Sequence, residues 1–328
     1  MTEQIRWGII GPGNIARKFA DGLKAVPDAA LVAIGSRDET RARTFAAQYG
    51  AAHAFGSYAE LAEAPDIDAV YIATPHPHHA APAMACLESG KAVLCEKPFT
   101  VNAPELEAVI ARARARNVFL MEAMWTRFLP VMADVRAWID SGRIGEPRLV
   151  QADFGFRCGW NPAGRLLNPN LAGGSLLDVG VYTISFASWV FGGRMPVQVS
   201  GAAHIGATGV DEQMAAVLRY DKGELAALIS AVQTATPHVA TILGTAGRIQ
   251  VGPPFWRATT ASLTAGSDTE TIERPHAANG YEYEAMEVGR CLRAGLSESP
   301  GMHLDESLQI MRIMDLLRGQ WGLKYSFE

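Results

Sequence analysis

Three short stretches of the chain hold residue types that could carry out chemistry. In GGSLLDVGVYT (173–183), Asp178 and Tyr182 are four residues apart, so on a helix they share one face and place a carboxylate beside a phenol. That pairing suits general acid–base work. The same stretch also reads as a plain helix start: Ser175 caps, Asp178 answers three residues later as in a capping box, and Tyr182 is a core aromatic. In LCEKPFT (94–100), Lys97 follows an apolar run and precedes Pro98, which keeps it out of the helical region and aims a cation from a strand end. In GPGNIA (11–16), Gly11 permits a tight turn, Gly13 lets the backbone approach a pyrophosphate, and Ala16 allows close helix–strand packing. Asn14 and Ile15 open the helix, whose N-terminus offers N–H groups and a positive dipole end to phosphates.

These residues need elements to position them. Over the first 120 or so residues, short apolar runs alternate with helical patterns. Strands are expected at 5–11, 30–36, 53–55, 68–75, 91–98 and 117–122, with helices between them. Such alternation implies a doubly wound parallel sheet with helices on both faces. After about residue 122 the pattern changes. Helices near 128–141 and 175–191 bracket a strand at 147–156, and 197–273 is strand-rich, with DKGE and TAGR as hairpin turns. Two helices, near 281–294 and 303–319, close the chain. The expected organisation is a dinucleotide-binding α/β Rossmann domain over 1–121, then an α+β domain over 122–328 built on a large open, mainly antiparallel sheet.

The end of the second strand bears on which dinucleotide is bound. An NAD site usually places an acid there for the ribose diol. This chain reads GSRD: Ser36 stands near the acid's place and Arg37 follows, a hydroxyl and a guanidinium that suit a 2′-phosphate. NADP is therefore expected over NAD, unless Asp38 turns inward. ATPHPHHA (73–80) ends the fourth strand, where ligands sit in such sheets; Thr74, Pro75, His76 and His79 are expected at the cofactor. The clustered histidines lack acidic or cysteine ligands at recognised spacing, so no metal is expected.

Among 328 residues, 29 Lys and Arg face 34 Asp and Glu, a net charge of -5 that argues against nucleic acid as the main partner. Cys86, Cys95, Cys158 and Cys291 form no CxxC pair and no zinc spacing, which favours a reducing compartment. The N-terminus reads as a strand rather than a signal peptide, and no run is long and apolar enough to span a membrane. A cytoplasmic protein with a small-molecule substrate is expected.

GxGxxA after the first strand, ATP after the fourth, EKP after the fifth and GGSLLDVGVY in the second domain together resemble the glucose–fructose oxidoreductase/inositol dehydrogenase (Gfo/Idh/MocA) superfamily across essentially the whole chain. MEAMWTRFLP (121–130) and LLDVGVYTISFASWVFGG (176–193) are similar to its dimeric dihydrodiol dehydrogenase branch, which includes NADP-dependent D-xylose dehydrogenases. The resemblance implies Lys97, Asp178 and Tyr182 as the catalytic group, although many members of the wider family carry His where this chain has Tyr182. It implies Glu96 as a support near the nicotinamide, and Trp125, Arg127 and Tyr281 as substrate-pocket residues. It also implies a cis bond at Pro98 and a homodimer or higher oligomer formed through the open sheet.

The expected reaction moves a hydride between NADP and a secondary alcohol or carbonyl of a sugar, polyol or cyclic vicinal diol. A free phenol, pKa about 10, is a weak base at neutral pH, so Lys97 would lower its pKa or stabilise an alkoxide. Either Tyr182 is the acid/base with Lys97 assisting, or Lys97 is itself the proton donor. Two rival readings are a redox-assisted dehydratase or glycosidase with tightly bound cofactor, and a dinucleotide-binding sensor without turnover.

Overall fold

The computed structural model describes residues 4–328. The chain folds into two compact units. Residues up to Trp125 together with Ala277–Ser307 form the first, and Thr126–His276 with Leu308–Glu328 the second. This differs from a simple division at 121/122, because the segment 277–307 returns to the first unit.

The first unit holds a six-stranded sheet of β1 (Ile5–Ile10), β2 (Ala29–Gly35), β3 (His53–Phe55), β4 (Ala69–Ile72), β5 (Ala92–Glu96) and β6 (Leu120–Ala123). Its order is β3-β2-β1-β4-β5-β6 and every pairing is parallel. Strand order therefore reverses between β1 and β4, the place where such sheets bind dinucleotides. The crossovers contain α1 (Asn14–Leu23), α2 (Glu39–Tyr49), α3 (Tyr58–Glu63), α4 (Ala80–Glu88) and α5 (Ala103–Arg116). β4 and β5 are buried along their whole length, as a sheet covered on both faces requires. Under α1, Phe19 stacks on Tyr71 with ring centroids 3.8 Å apart, and Trp7 meets Phe19 edge-on.

The second unit holds α6 (Pro130–Asp140) and an eight-stranded sheet. Its strands are β7 (Pro147–Gly155), β8 (Gln198–Ile205), β9 (Asp211–Arg219), β10 (Leu225–Ala231), β11 (Ala240–Gly244), β12 (Gly247–Val251), β13 (Thr260–Ala265) and β14 (Asp268–Glu273). The order is β14-β13-β12-β11-β7-β10-β9-β8, antiparallel except for the central β7–β10 pair. DKGE turns β9 into β10, and TAGR turns β11 into β12, as their turn chemistry anticipates. Along β9, Met214, Ala216 and Leu218 are buried while Gln213, Ala215, Val217 and Arg219 are open, so one face of the sheet is covered and the other is not.

α7 (Val181–Val190) covers the inner face over β7 and β10. It is apolar nearly all round and buried accordingly. α8 (Glu282–Arg293) lies in the first unit, and α9 (Leu304–Trp321) ends the regular structure. Among the described residues, one helical stretch, Pro169–Val190, is long and apolar enough to cross a membrane, but 94% of its most apolar window is buried inside the fold.

Candidate active site

In the first unit, β1 ends at Ile10 and the chain turns through Gly11 at φ +85°. A side chain there would lie 3.0 Å from the backbone of Ala73 and Thr74, so glycine lets the loops after β1 and β4 run close together. Gly13 precedes α1, Asn14 and Ile15 open it, and Ala16 is fully buried against the sheet. No side chain caps α1 and its first turn carries no acid. Its N–H groups and positive dipole end suit an anion, so these residues fit a dinucleotide pyrophosphate.

At the end of β2, the buried Ser36 hydroxyl accepts the Asp38 N–H at 3.2 Å. Asp38 does not face the sheet end. Its carboxylate caps α2, accepting from the N–H of Thr40 at 2.9 Å and of Arg41 at 3.3 Å. Arg37 is exposed and pairs with no described acid.

After β4, Thr74 donates its hydroxyl to the carbonyl of His78 at 2.7 Å, and exposed Pro75 leads into a single turn at His76–His78. The His76 ring lies 6.0 Å from that of His79. His79 is buried, with Nδ1 2.9 Å from the Pro98 carbonyl and Nε2 2.7 Å from the Thr74 carbonyl. Burial pushes its pKa down to about 4, so the ring is neutral at pH 7 and donates through one nitrogen. A direct cofactor contact does not fit a fully buried ring whose two nitrogens both face backbone carbonyls. His79 instead ties the loop after β4 to the loop after β5.

β5 delivers Glu96 and, one residue on, the half-buried Lys97. The Tyr71 hydroxyl donates to one Glu96 oxygen, and the other accepts the Lys97 N–H at 3.2 Å. The Lys97–Pro98 bond is cis, as the resemblance implies. Glu284 of α8 is fully buried with neither carboxyl oxygen hydrogen-bonded. Burial, then the charge of Glu96, push its pKa well above the usual carboxylate range. Trp125 and Tyr281, expected as substrate-pocket residues, stack with centroids 4.4 Å apart, both nearly buried.

In the second unit, the entry to the Asp178–Tyr182 helix departs from expectation. Leu176–Gly180 form a π-helical turn that runs into α7. Ser175 already has helical backbone angles (φ -75°, ψ -35°) and makes no cap of its own, so the Ser175–Asp178 capping box is absent. Its hydroxyl donates instead to Asp211 at 2.9 Å, and Asp211 also takes the Leu176 N–H at 2.6 Å. A carboxylate from β9 thus fills the place that a local cap would have taken.

Asp178 is 4% exposed and accepts from Arg165 at 2.6 Å. Arg165 is half open to solvent. Tyr182 is 7% exposed, and its ring lies 5.5 Å from Phe154. Phe154 stacks on Trp256 with centroids 3.3 Å apart, and His238 meets both rings edge-on. The phenol is therefore bordered by an aromatic wall. Arg127 holds α7, donating to the Ser185 hydroxyl at 3.1 Å and the Ser185 carbonyl at 3.0 Å.

Sequence reasoning singled out none of Arg165, Phe154, Trp256, His238 and Asp211 as site residues. Arg165 lies in a loop, 157–170, whose conformation the sequence does not determine. Phe154 and Asp211 appear only as ordinary strand residues. Their nearness to Tyr182 and Ser175 arises from strand pairing.

Two family models match the chain. One, described as an oxidoreductase family with an NAD-binding Rossmann fold, covers residues 5–124; the other, the GFO/IDH/MocA C-terminal domain, covers 132–250. The chain belongs to the Gfo/Idh/MocA oxidoreductase family. Within it, the chain is 38% identical to a trans-1,2-dihydrobenzene-1,2-diol dehydrogenase of Xenopus tropicalis, over 98% of this chain and 99% of the relative. The enzyme of that name from Danio rerio is 39% identical over 98% of both chains. Among solved structures, a 3-ketoreductase from Actinomadura kijaniata in complex with NADP and TDP-benzene superimposes with a TM-score of 0.86 at 28% identity, covering 97% of this chain and 98% of that one. An aldose–aldose oxidoreductase from Caulobacter crescentus shares the fold, with a TM-score of 0.88 at 24% identity and 96% of each chain covered. This family member is an NAD(P)-dependent dehydrogenase or reductase.

Proposed function

We propose that the protein is an NADP-dependent dehydrogenase acting on a secondary alcohol of a cyclic vicinal diol or sugar. The observation that carries this reading is the Asp178–Tyr182 pair on one buried helical segment, bordered by Phe154, in a chain that matches dihydrodiol dehydrogenases over 98% of its length. When bound, the nicotinamide supplies the hydride acceptor or donor. In the second unit Tyr182 is the group for exchanging the hydroxyl proton, and in the first unit Lys97 is the cation suited to a developing alkoxide. Asp178, held by Arg165, orients the reacting hydroxyl. Trp125 and Tyr281 supply a flat apolar surface suited to a ring rather than to a large acid.

The preference for NADP is supported by Asp38, whose carboxylate is engaged as the α2 cap, and by the exposed guanidinium of Arg37 near Ser36. Pairing of two copies through the open sheet face is supported by Val217 and Ile229, 48% and 46% exposed on adjacent strands. Four unpaired cysteines support a reducing, cytoplasmic setting. The deciding experiment is a spectrophotometric screen of NADP and NAD against dihydrodiols, aldoses, inositols and anhydrosugars. The expected result is NADPH formation with a diol or sugar. Bound cofactor with no turnover across the screen would sink the reading, and light scattering that shows a monomer would sink the pairing.

A further inference from the structure

We propose that Asp211 is the positioning residue that sets the register of the helix bearing Asp178 and Tyr182, an inference that rests on reading that helix as catalytic. Asp211 opens β9 and is fully buried, without an ion pair among the described residues. Burial of a carboxyl without a cation is costly, so its place in the fold calls for a reason. One oxygen accepts both the Leu176 N–H at 2.6 Å and the Ser175 hydroxyl at 2.9 Å. The Ser175 hydroxyl lies 2.9 Å from that of Ser230 on β10, so the helix entry is tied to two neighbouring strands. The other Asp211 oxygen has no hydrogen-bond partner and faces Gly174. A side chain at Gly174, which sits at φ +113°, would come within 2.1 Å of it. Gly174 and Ser175 at the helix entry are fitted around this carboxyl.

The π-helical turn gives the anchor its consequence. A π turn is an α-helical turn carrying one extra residue. If the start of Leu176–Gly180 is released, the segment can revert to α-helix by slipping one residue, which turns each side chain by about 100° around the axis. Asp178, inside that segment, would then turn relative to Tyr182, which lies beyond it in α7. No side chain caps this segment locally, so Asp211 is the group that resists the slip.

The test uses the full chain with Asp211→Ala and Asp211→Asn. Asp211→Ala should lower kcat about 100-fold, as displacement of reacting groups does. KM and NADPH affinity should move less than about threefold, since the reacting geometry is what is lost. Amides of 174–183 should exchange hydrogen faster. Asp211→Asn, which keeps an oxygen acceptor, should recover most of kcat and of the protection. A purely structural role would lower thermal stability while leaving kcat unchanged well below the melting temperature. Asp211→Ala with wild-type kcat and wild-type exchange overturns the proposal. If Asp211→Ala does not fold, Ser175→Ala replaces it, and unchanged kcat and exchange there overturn it equally. If the wild-type enzyme turns over none of the screened substrates, the catalytic reading fails, while the exchange measurement still decides whether Asp211 anchors the segment.

Discussion

The helices of the cofactor unit and the helix carrying Tyr182 begin in different ways. Asp38 caps α2 through Thr40 and Arg41, Ser57 caps α3 through Glu60, and Asn102 caps α5 through Glu105. Each cap comes from the adjoining chain. The N-cap residues of α1, α4 and α8 make no side-chain cap, and at α1, after the glycine turn, this leaves the N-terminus to an anion. The Asp178–Tyr182 segment is held from a strand, by a carboxylate 35 residues away from Leu176. Helices that serve as scaffold can be ended locally, at a cost of one side chain. On the catalytic reading proposed for Asp178 and Tyr182, their helix gains from an anchor fixed to the sheet, because a local cap turns with the helix it caps.

Four measurements would break or sharpen this contrast. The largest effect is expected from Tyr182→Phe, which should cut turnover about 1,000-fold through loss of the proton-exchanging group. NADPH affinity, measured by fluorescence titration, should hold; equal loss of both would mean structural damage. Next comes the pH dependence of stability. Burial raises the Asp211 pKa from 3.8 to about 6. A carboxyl raised in the folded state contributes stability that is fully present below pH 3.8 and lost as pH rises through about 6. Between those values the wild type should lose about 3 kcal/mol relative to Asp211→Asn in chemical denaturation. Parallel curves for the two proteins would remove the buried, charge-sensitive anchor. Arg37→Ala should weaken NADPH binding by about 2 kcal/mol, roughly 30-fold, with NADH unchanged. Equal weakening of both cofactors would refute its role at the 2′-phosphate. Asp38→Ala should cost about 1 kcal/mol of stability as a lost cap. If it weakened NADH binding instead, Asp38 would be a ribose ligand and the cofactor preference would reverse.

What was legible in the sequence was whatever depends on neighbours in the chain. Glycine at Gly11, the small residue at Ala16 and the alternation of apolar strands with helices reflect backbone constraints that act over a few residues, and they reveal the parallel sheet. The hairpins at DKGE and TAGR were legible for the same reason. The Ser175–Asp178 capping pattern was misleading because it matches a local rule that a long-range partner overrides. Arg165, Phe154, Trp256 and Asp211 had no local signal, since an arginine in a loop or an aspartate at a strand start is common in any protein.

The return of 277–307 to the first unit was equally invisible, and with it the stacking of Tyr281 on Trp125. The sequence by itself therefore determined the family, the cofactor turn and the residue types available for hydride and proton transfer. Only the tertiary structure decided how Asp178 and Tyr182 are aimed, because the group that holds their helix reaches it through the pairing of distant strands.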